Sequence, residues 1–233
     1  MNTFEILDID KYDSRKSISK MDKTIIAKGG DGTLLKSITK FYSKDIMFYG
    51  EASGTLNFLM NTIPYSKDID IKVKKFRRIK VRVTILKPNK LGELVPEVKE
   101  FQVLNDVFIS EENGWIDFNC HDKDMILGSF KGSGLIISTA IGSTGINKNN
   151  NGVILPLSSK DWVVTGDKTN RTINYVLRNN RMTIKVRSRG TVNIFGDGHN
   201  HHFTRVQSVE ILKGDTVKIG FANYTEMKRK RRI

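Results

Sequence analysis

The residues best placed to do chemistry are five in a row, Gly29-Gly30-Asp31-Gly32-Thr33. They follow a short apolar run, Thr24 to Ala27. They precede Leu34, Leu35, Ile38, Phe41 and Tyr42, which recur at helical spacing. A glycine turn between a strand and a helix gathers backbone N–H groups at the positive end of the helix dipole, where an anion binds well. Without a Cβ in the way, a phosphate can come close to the backbone. A carboxylate in the middle repels phosphate, so Asp31 points to a chemical role. It could accept a proton from an attacking hydroxyl, or hold a divalent cation on the phosphates. The run lacks the Lys-Ser/Thr pair of a Walker loop, and Leu35 stands at the third glycine position of a dinucleotide fingerprint. A tight turn with Asp31 capping the helix would explain the same residues, and the local pattern leaves both readings open.

The elements that position this turn are legible in the apolar pattern. Ile46 to Tyr49 reads as a second strand ending at Gly50, so the opening is strand, glycine turn, helix, strand: one α/β unit. From Ile69 the period changes to two. Ile69, Ile71 and Val73 alternate with polar residues, as do Val81, Val83 and Ile85, and Lys87 to Gly92 reads as a turn. Further strands are expected at 101–104, 135–138, 162–165, 173–177, 182–186, 192–195, 206–212 and 216–221. Many short strands at regular spacing predict a β-sandwich-like domain. The expected organisation is an α/β domain over 1–68, a β-rich domain over 69–222 and a basic tail over 223–233.

Composition bounds the function. The chain has 233 residues and a net charge of +14, which points to anionic partners. Its single Cys120 rules out an internal disulfide framework and a thiolate zinc site. No apolar run approaches the roughly 18 residues of a membrane span, and residues 1–10 carry three acids and no basic region of a secretory signal. The expectation is a cytoplasmic protein that does not engage membranes.

Together with the segments C-terminal to it, the glycine turn resembles the signature of the NAD kinase and lipid kinase superfamily. Gly54-Thr55-Leu56-Asn57-Phe58 partly fits the lipid kinase stretch Gly-Thr-x-Asn-Asp. Against the NAD kinase pattern Gly-x-Asn-x-Gly-x-Leu-Gly-Phe-Leu, Gly50, Gly54, Leu56, Phe58 and Leu59 match, while Ala52 and Asn57 depart. Later segments favour NAD kinases. Leu104-Asn105-Asp106-Val107 fits their Leu-Asn-Glu/Asp step. Residues 132–146 follow Gly-Asp-Gly-Leu-Ile-x-Ser-Thr-Pro-Thr-Gly-Ser-Thr-Ala-Tyr through Gly132, Gly134-Leu135-Ile136, Ser138-Thr139 and Gly142-Ser143-Thr144. Asp197-Gly198 and Gly214-Asp215 match late turns, so the likeness runs over roughly residues 22 to 221.

The resemblance implies a fold, a reaction and roles. The fold would be a small, truncated Rossmann-like domain, lacking the usual first strand–helix unit, followed by a β-sandwich-like NAD kinase C-terminal domain. The reaction would move a phosphoryl group from ATP or polyphosphate to the 2′-hydroxyl of NAD, with Mg²⁺ or another divalent cation on the donor phosphates. Asp31 would be the catalytic base or metal-positioning acid. Gly29, Gly30, Gly32 and Thr33 would hold phosphate. Asn105, Asp106, Ser138, Thr139, Gly142, Ser143, Thr144 and Phe58 would bind NAD. Assembly as a homodimer or homotetramer is expected on the same ground. The departures Ser133, Ile141 and Ile146, where the family has Asp, Thr and an aromatic residue, are expected in the nucleoside pocket and bear on acceptor choice. The alternatives are a catalytically degenerate nucleotide-binding protein of the same fold, or a kinase for another nucleoside or a lipid alcohol.

Other features carry less. His199-Asn200-His201-His202 is dense enough for a metal, but in an expected hairpin turn with no cysteine nearby a polar loop is favoured. Lys228-Arg229-Lys230-Arg231-Arg232 reads as a solvated tail with at most a secondary contact to nucleic acid. Lys74, Lys75, Arg77 and Arg78 are expected on an exposed strand face, and Trp115 and Trp162 in the core or an interface.

Overall fold

The computed structural model describes residues 4–225 apart from Tyr12, Thr55, Leu56, Asn113, Lys123, Asp124 and Arg189. The basic run 228–232, and Thr55 and Leu56 of the ambiguous Gly54–Phe58 stretch, therefore lie outside the described residues. The chain forms two units. One holds the described residues up to Phe76 and those from Thr216 onward, and the other is Arg77–Asp215. The boundary thus falls near residue 77 rather than 68, and the chain's end returns to the first unit.

In the first unit, β1 (Phe4–Ile9) and β2 (Ser17–Met21) form an antiparallel hairpin, and β2 pairs antiparallel with β3 (Thr24–Gly29). Asp22 turns the chain between β2 and β3 with φ 51°, a left-handed conformation that Asp tolerates. Thr24, Ile25 and Ile26 are β-branched and buried, as a central strand requires. The chain then enters α1 (Asp31–Phe41), whose Leu34, Leu35 and Ile38 are buried against β3 and β4 (Met47–Ala52). Each such side chain contributes about 1.5–3 kcal/mol. Lys36 and Lys40 on α1 both reach Asp8 of β1 at 3.3 Å, and their hydrogen bonds hold its carboxyl below the usual range.

Pairing of β3 with β4 is parallel, and β4 pairs in parallel with residues 218–220 of the final strand. Asn61 locks that last junction. Its Nδ2 donates to the carbonyls of Gly50 and Gly220, and its Oδ1 accepts the N–H of Ala222. That parallel pairing is why the chain's end belongs to the first unit.

The second unit is antiparallel. Its strands are β5 (Lys72–Pro88, entering from the first unit), β6 (Leu94–Val103), β7 (Asp106–Glu111), β8 (Ile116–Asp122), β9 (Met125–Gly132), β10 (Gly134–Ser138), β11 (Trp162–Asp167), β12 (Asn174–Leu177), β13 (Met182–Arg187), β14 (Val192–Gly196), β15 (His199–Phe203) and the part of β16 (Val206–Phe221) before Thr216. One sheet runs β12-β11-β10-β7-β14-β15. In the other, β16 pairs β13, followed by β8 and β9, and β5 pairs β6 and β16. Inward residues such as Ile109, Ile137 and Ile194 of the first sheet share one apolar core with Val81, Phe118 and Ile184 of the second. This is the mixed α/β sheet with an antiparallel β domain that the sequence pattern anticipates.

Several details differ from the sequence reading. The expected strands 206–212 and 216–221 are one strand, because Gly214 and Asp215 are pinned rather than turned. Arg77 donates to the carbonyl of Gly214 at 3.0 Å, and Gln102 exchanges two bonds with Asp215 at 2.8 and 2.7 Å. A Cβ on Gly214 would strike Gln102, so this glycine marks a close approach inside a strand. The expected His199–His202 loop is strand β15. Arg78 is buried, with its side chain facing Asp215 at 3.4 Å, rather than lying on an exposed face. Trp162 is core, but Trp115 is 55% exposed. No helix among the described residues is long and apolar enough to cross a membrane.

Candidate functional site

The sequence-identified residues fall into two groups, one in each unit. In the first unit, Gly30 is the N-cap of α1, in extended conformation and without a side-chain cap bond. Asp31 does not cap the helix. Its carboxylate accepts the backbone N–H of Phe58 through both oxygens, at 3.2 and 2.9 Å, and the N–H of Leu59 at 2.9 Å. The glycine turn and the loop after β4 are thereby tied through one carboxylate, which places Gly29, Gly30, Gly32, Thr33 and Phe58 around Asp31. Gly29 has φ 150°, and a Cβ there would collide with the Thr33 hydroxyl, so the turn requires glycine. Gly32 is exposed and a Cβ on it would meet nothing within 4 Å. The start of α1 is therefore open at Gly32, with the helix dipole's positive end behind it.

The second group sits where β7 begins and β10 ends. Asp106 and Ser138 are paired across these strands. Thr139 donates its N–H to the Asn105 carbonyl at 2.9 Å and its hydroxyl to the Leu104 carbonyl at 2.7 Å. A 3-10 turn, Gly142–Thr144, then leads to α2 (Ile146–Asn149). Gly142 lies so close to Asn105 that a Cβ would collide with that residue's carbonyl. Ser143 donates to Ala140 and accepts from the Leu155 N–H, both at 3.0 Å. The Thr139 and Ser143 hydroxyls are thus committed to building the turn. Asn105 Oδ1 and Ser138 Oγ, by contrast, are buried with no protein partner among the described residues. Such a group costs about 1–3 kcal/mol when left unpaired, so these two atoms have bonding capacity to offer a ligand.

Asp106 supplies the group's electrostatics. Burial, then the nearby charge of Asp197, pushes its carboxyl up to about 7. Burial also raises Asp197, but Asp197 accepts the N–H groups of Leu104 and of Asn105 (2.9 Å) and faces Arg78. Those contacts favour its ionised form, so Asp197 loses its proton first as pH rises and Asp106 keeps its own until about pH 7. A protonated Asp106 can donate as well as accept, which suits a ribose hydroxyl.

Sequence reasoning gave no role to three residues here. Asp197 was a matched turn residue, and the turn is real. Asp197 (φ 48°) and Gly198 (φ 83°) form the two-residue, doubly left-handed turn of the β14–β15 hairpin, which Asp-Gly favours. Its carboxylate, however, works on the Leu104–Asn105 backbone. Arg78 was hidden in a basic cluster. Asn147 stood in a polar run, yet it is fully buried. Its Nδ2 donates to the carbonyls of Ser143 and Val153, and its Oδ1 accepts the Thr165 hydroxyl at 2.6 Å.

The departures divide. Ile141 is buried at the start of the 3-10 turn and Ile146 begins α2, so both border this group. Ser133 does not. It precedes β10 and bonds to Asp167, at the strand end opposite Ser138. Five strand residues separate the two ends by about 13 Å. In β15, His201 stacks on Phe101 at 4.0 Å and burial lowers its pKa, while His202 bonds to Asn193 at 2.7 Å. Among the described residues no three of His, Cys, Asp or Glu converge as metal ligands would.

No family model matches the chain. An NAD kinase of Fusobacterium nucleatum is 30% identical over 167 residues, covering 70% of this chain and 57% of that protein. An NAD kinase of Helicobacter pylori is 26% identical over 166 residues, with the same coverages. The matched region thus spans less than three fifths of these relatives' length. Among solved structures, an Archaeoglobus fulgidus NAD kinase in complex with ATP superposes with TM-score 0.69 at 17% identity, covering 90% of this chain and 83% of that one. Yeast NADH kinase complexed with NADH gives TM-score 0.70 at 16% identity, covering 89% and 65%. The structures bear on the fold and the sequence relatives on kinship, and together they make this chain a divergent member of the NAD kinase family.

Proposed function

We propose that the chain is an NAD kinase-like phosphotransferase, moving a phosphoryl group from ATP or polyphosphate to the 2′-hydroxyl of NAD to give NADP. The observation that carries this reading is Asp31, held by the Phe58 and Leu59 N–H groups beside the open face of Gly32. Phosphoryl transfer needs positioning and charge neutralisation more than covalent help, and a carboxylate with a fixed orientation supplies positioning. In this reading the backbone at Gly30 and Gly32, with the Thr33 hydroxyl, holds donor phosphate oxygens. Asp31 accepts the proton of the attacking hydroxyl or orients it. Asn105 Oδ1, Ser138 Oγ and Asp106 take the hydrogen-bonding edge and ribose of NAD.

A divalent cation fits as a companion of the phosphates. The described residues build no dedicated cage, and Mg²⁺ in such reactions is held by one or two carboxylates plus substrate oxygens. Asp31 would be its protein ligand, and the ion would neutralise charge on the donor phosphates.

A second reading, binding without turnover, draws on the committed Thr139 and Ser143 hydroxyls and on buried Ile141. Kinases for lipids or other alcohols are disfavoured by Asn105-Asp106 and Gly142-Ser143-Thr144. The test is NADP formation from NAD and Mg²⁺ with ATP or polyphosphate. Calorimetric NAD binding without NADP would favour the second reading.

A further inference from the structure

Within its own hairpin Asp197 meets the His199 ring only through its backbone carbonyl, at 3.3 Å. The β14–β15 turn is set by the left-handed backbone of Asp197 and Gly198, which Asn-Gly would form as well. Its side chain is instead spent 92 to 93 residues upstream, on the N–H groups of Leu104 and Asn105. These are the last backbone groups before Asp106 opens β7. A carboxylate that accepts two successive N–H groups fixes the orientation of the peptide between them, and with it the direction in which the next two side chains leave the backbone. Gly196 reinforces the contact, since a Cβ there would collide with Val103 and press on the Asp106 carbonyl.

We infer that Asp197 is a positioning residue for the acceptor site, holding the Leu104–Asn105 backbone so that Asn105 and Asp106 present their side chains to the bound nucleoside. The inference rests on the reading of Asn105 and Asp106 as acceptor-binding groups. Asp197 itself does not touch substrate. The charged groups facing it are Arg78 from β5, His199 from β15 and Asp106 from β7. Arg78 also reaches Asp215, which Gln102 of β6 holds by two bonds, so the carboxylate's counter-charge is itself anchored.

The experiment compares wild type, Asp197→Asn, Asp197→Glu and Gly198→Asn. It reads amide hydrogen exchange at Leu104 and Asn105, KM for NAD, KM for the donor and kcat. Asp197→Asn should speed exchange at those two amides at least tenfold and raise KM for NAD about tenfold, with KM for the donor within threefold of wild type. It should also move the Asp106-linked limb of the pH profile to lower pH, because a negative neighbour is gone. Asp197→Glu keeps the charge but shifts it by one methylene, so positioning predicts a raised KM for NAD here too, whereas a purely electrostatic role predicts wild-type kinetics. Gly198→Asn keeps the carboxylate but puts a side chain at φ 83°, so it should melt lower than wild type while exchange at Leu104 and Asn105 and KM for NAD stay within threefold of wild type. Unchanged exchange in Asp197→Asn overturns the inference, as does an equal rise in both KM values with a fall in melting temperature. If wild type neither makes NADP nor binds NAD in calorimetry, the kinase reading fails by itself, and the exchange rates alone decide whether Asp197 orders this backbone.

Discussion

The Asp31 carboxylate accepts the backbone N–H of Leu59, 28 residues away, at 2.9 Å, and shares the Phe58 N–H between its two oxygens. The residue expected to act on substrate is therefore also a clasp between the glycine turn and the loop after β4. Hydrogen bonds to a charged group contribute about 1.5–3 kcal/mol. Asp31→Ala should lower unfolding free energy in urea by about that amount. Asp31→Asn, which keeps one acceptor oxygen, should lose less. Equal stability of wild type and Asp31→Ala would remove the clasp.

Gly29 and Gly32 separate shape from binding. Gly29→Ala forces φ 150° on a side-chain residue and collides with Thr33. Backbone strain alone costs about 1–3 kcal/mol, so this variant should melt lower. Gly32→Ala has open space around its new methyl and sits in a helix, where Ala is favoured over Gly by up to about 1 kcal/mol. It should be as stable as wild type or more so, yet bind ATP at least tenfold more weakly in calorimetry. Undiminished ATP affinity would mean that phosphate does not approach at Gly32.

What the sequence made legible was local. The Gly29–Thr33 turn, the apolar face of α1 and the Asp197-Gly198 hairpin are each written in a few adjacent residues. Residues whose partners lie far along the chain were not legible. Arg78 reads as one more surface cation until Asp215, 137 positions on, faces it, and Gly214 reads as a turn until Gln102 is seen against it. Asn147 reads as a loop residue until Thr165, 18 positions on, is seen to donate its hydroxyl to it. The β1–β2 hairpin is not legible because the apolar residues of Phe4–Ile9 keep no strict alternation, with Ile6 beside Leu7 and a register shift between Ile6 and Asp8, and because Phe4 and Ile6 stay exposed.

Asp106 predicts a pH dependence of stability. Its carboxyl is raised to about 7 by burial and Asp197. The folded state therefore holds the proton more tightly than the unfolded chain, whose carboxyl titrates at about 3.9. The stability this contributes is fully present below that value and is lost as pH rises through about 7. Asp106→Asn removes the titration. Its stability relative to wild type should grow between about pH 5 and pH 8 by at least about 1.4 kcal/mol, the equivalent of roughly one pKa unit. A difference that does not change with pH would show that Asp106 is ionised throughout.

Asn147 should matter for folding and not for chemistry. Two buried hydrogen bonds, to Ser143 and from Thr165, and one partly buried bond to Val153 converge on its amide. Asn147→Ala leaves two carbonyls and a hydroxyl unpaired, at about 1–3 kcal/mol for each group that finds no other partner. Thermal melting should show a loss of several degrees, while KM for the donor in the surviving folded fraction stays at the wild-type value. An unchanged melting temperature would show that water replaces the amide.

The proposed phosphoryl transfer to NAD, with Asp31 as the base or orienting group, is tested most directly by the product itself. The measurement is NADP formed from NAD and Mg²⁺, with ATP and polyphosphate in separate reactions, by wild type and Asp31→Asn at matched folded concentration. NADP from wild type with at least one donor, and a rate at least a hundredfold lower from Asp31→Asn, is the predicted result. Equal rates from the two proteins, or no NADP from a folded wild type with either donor, would contradict it.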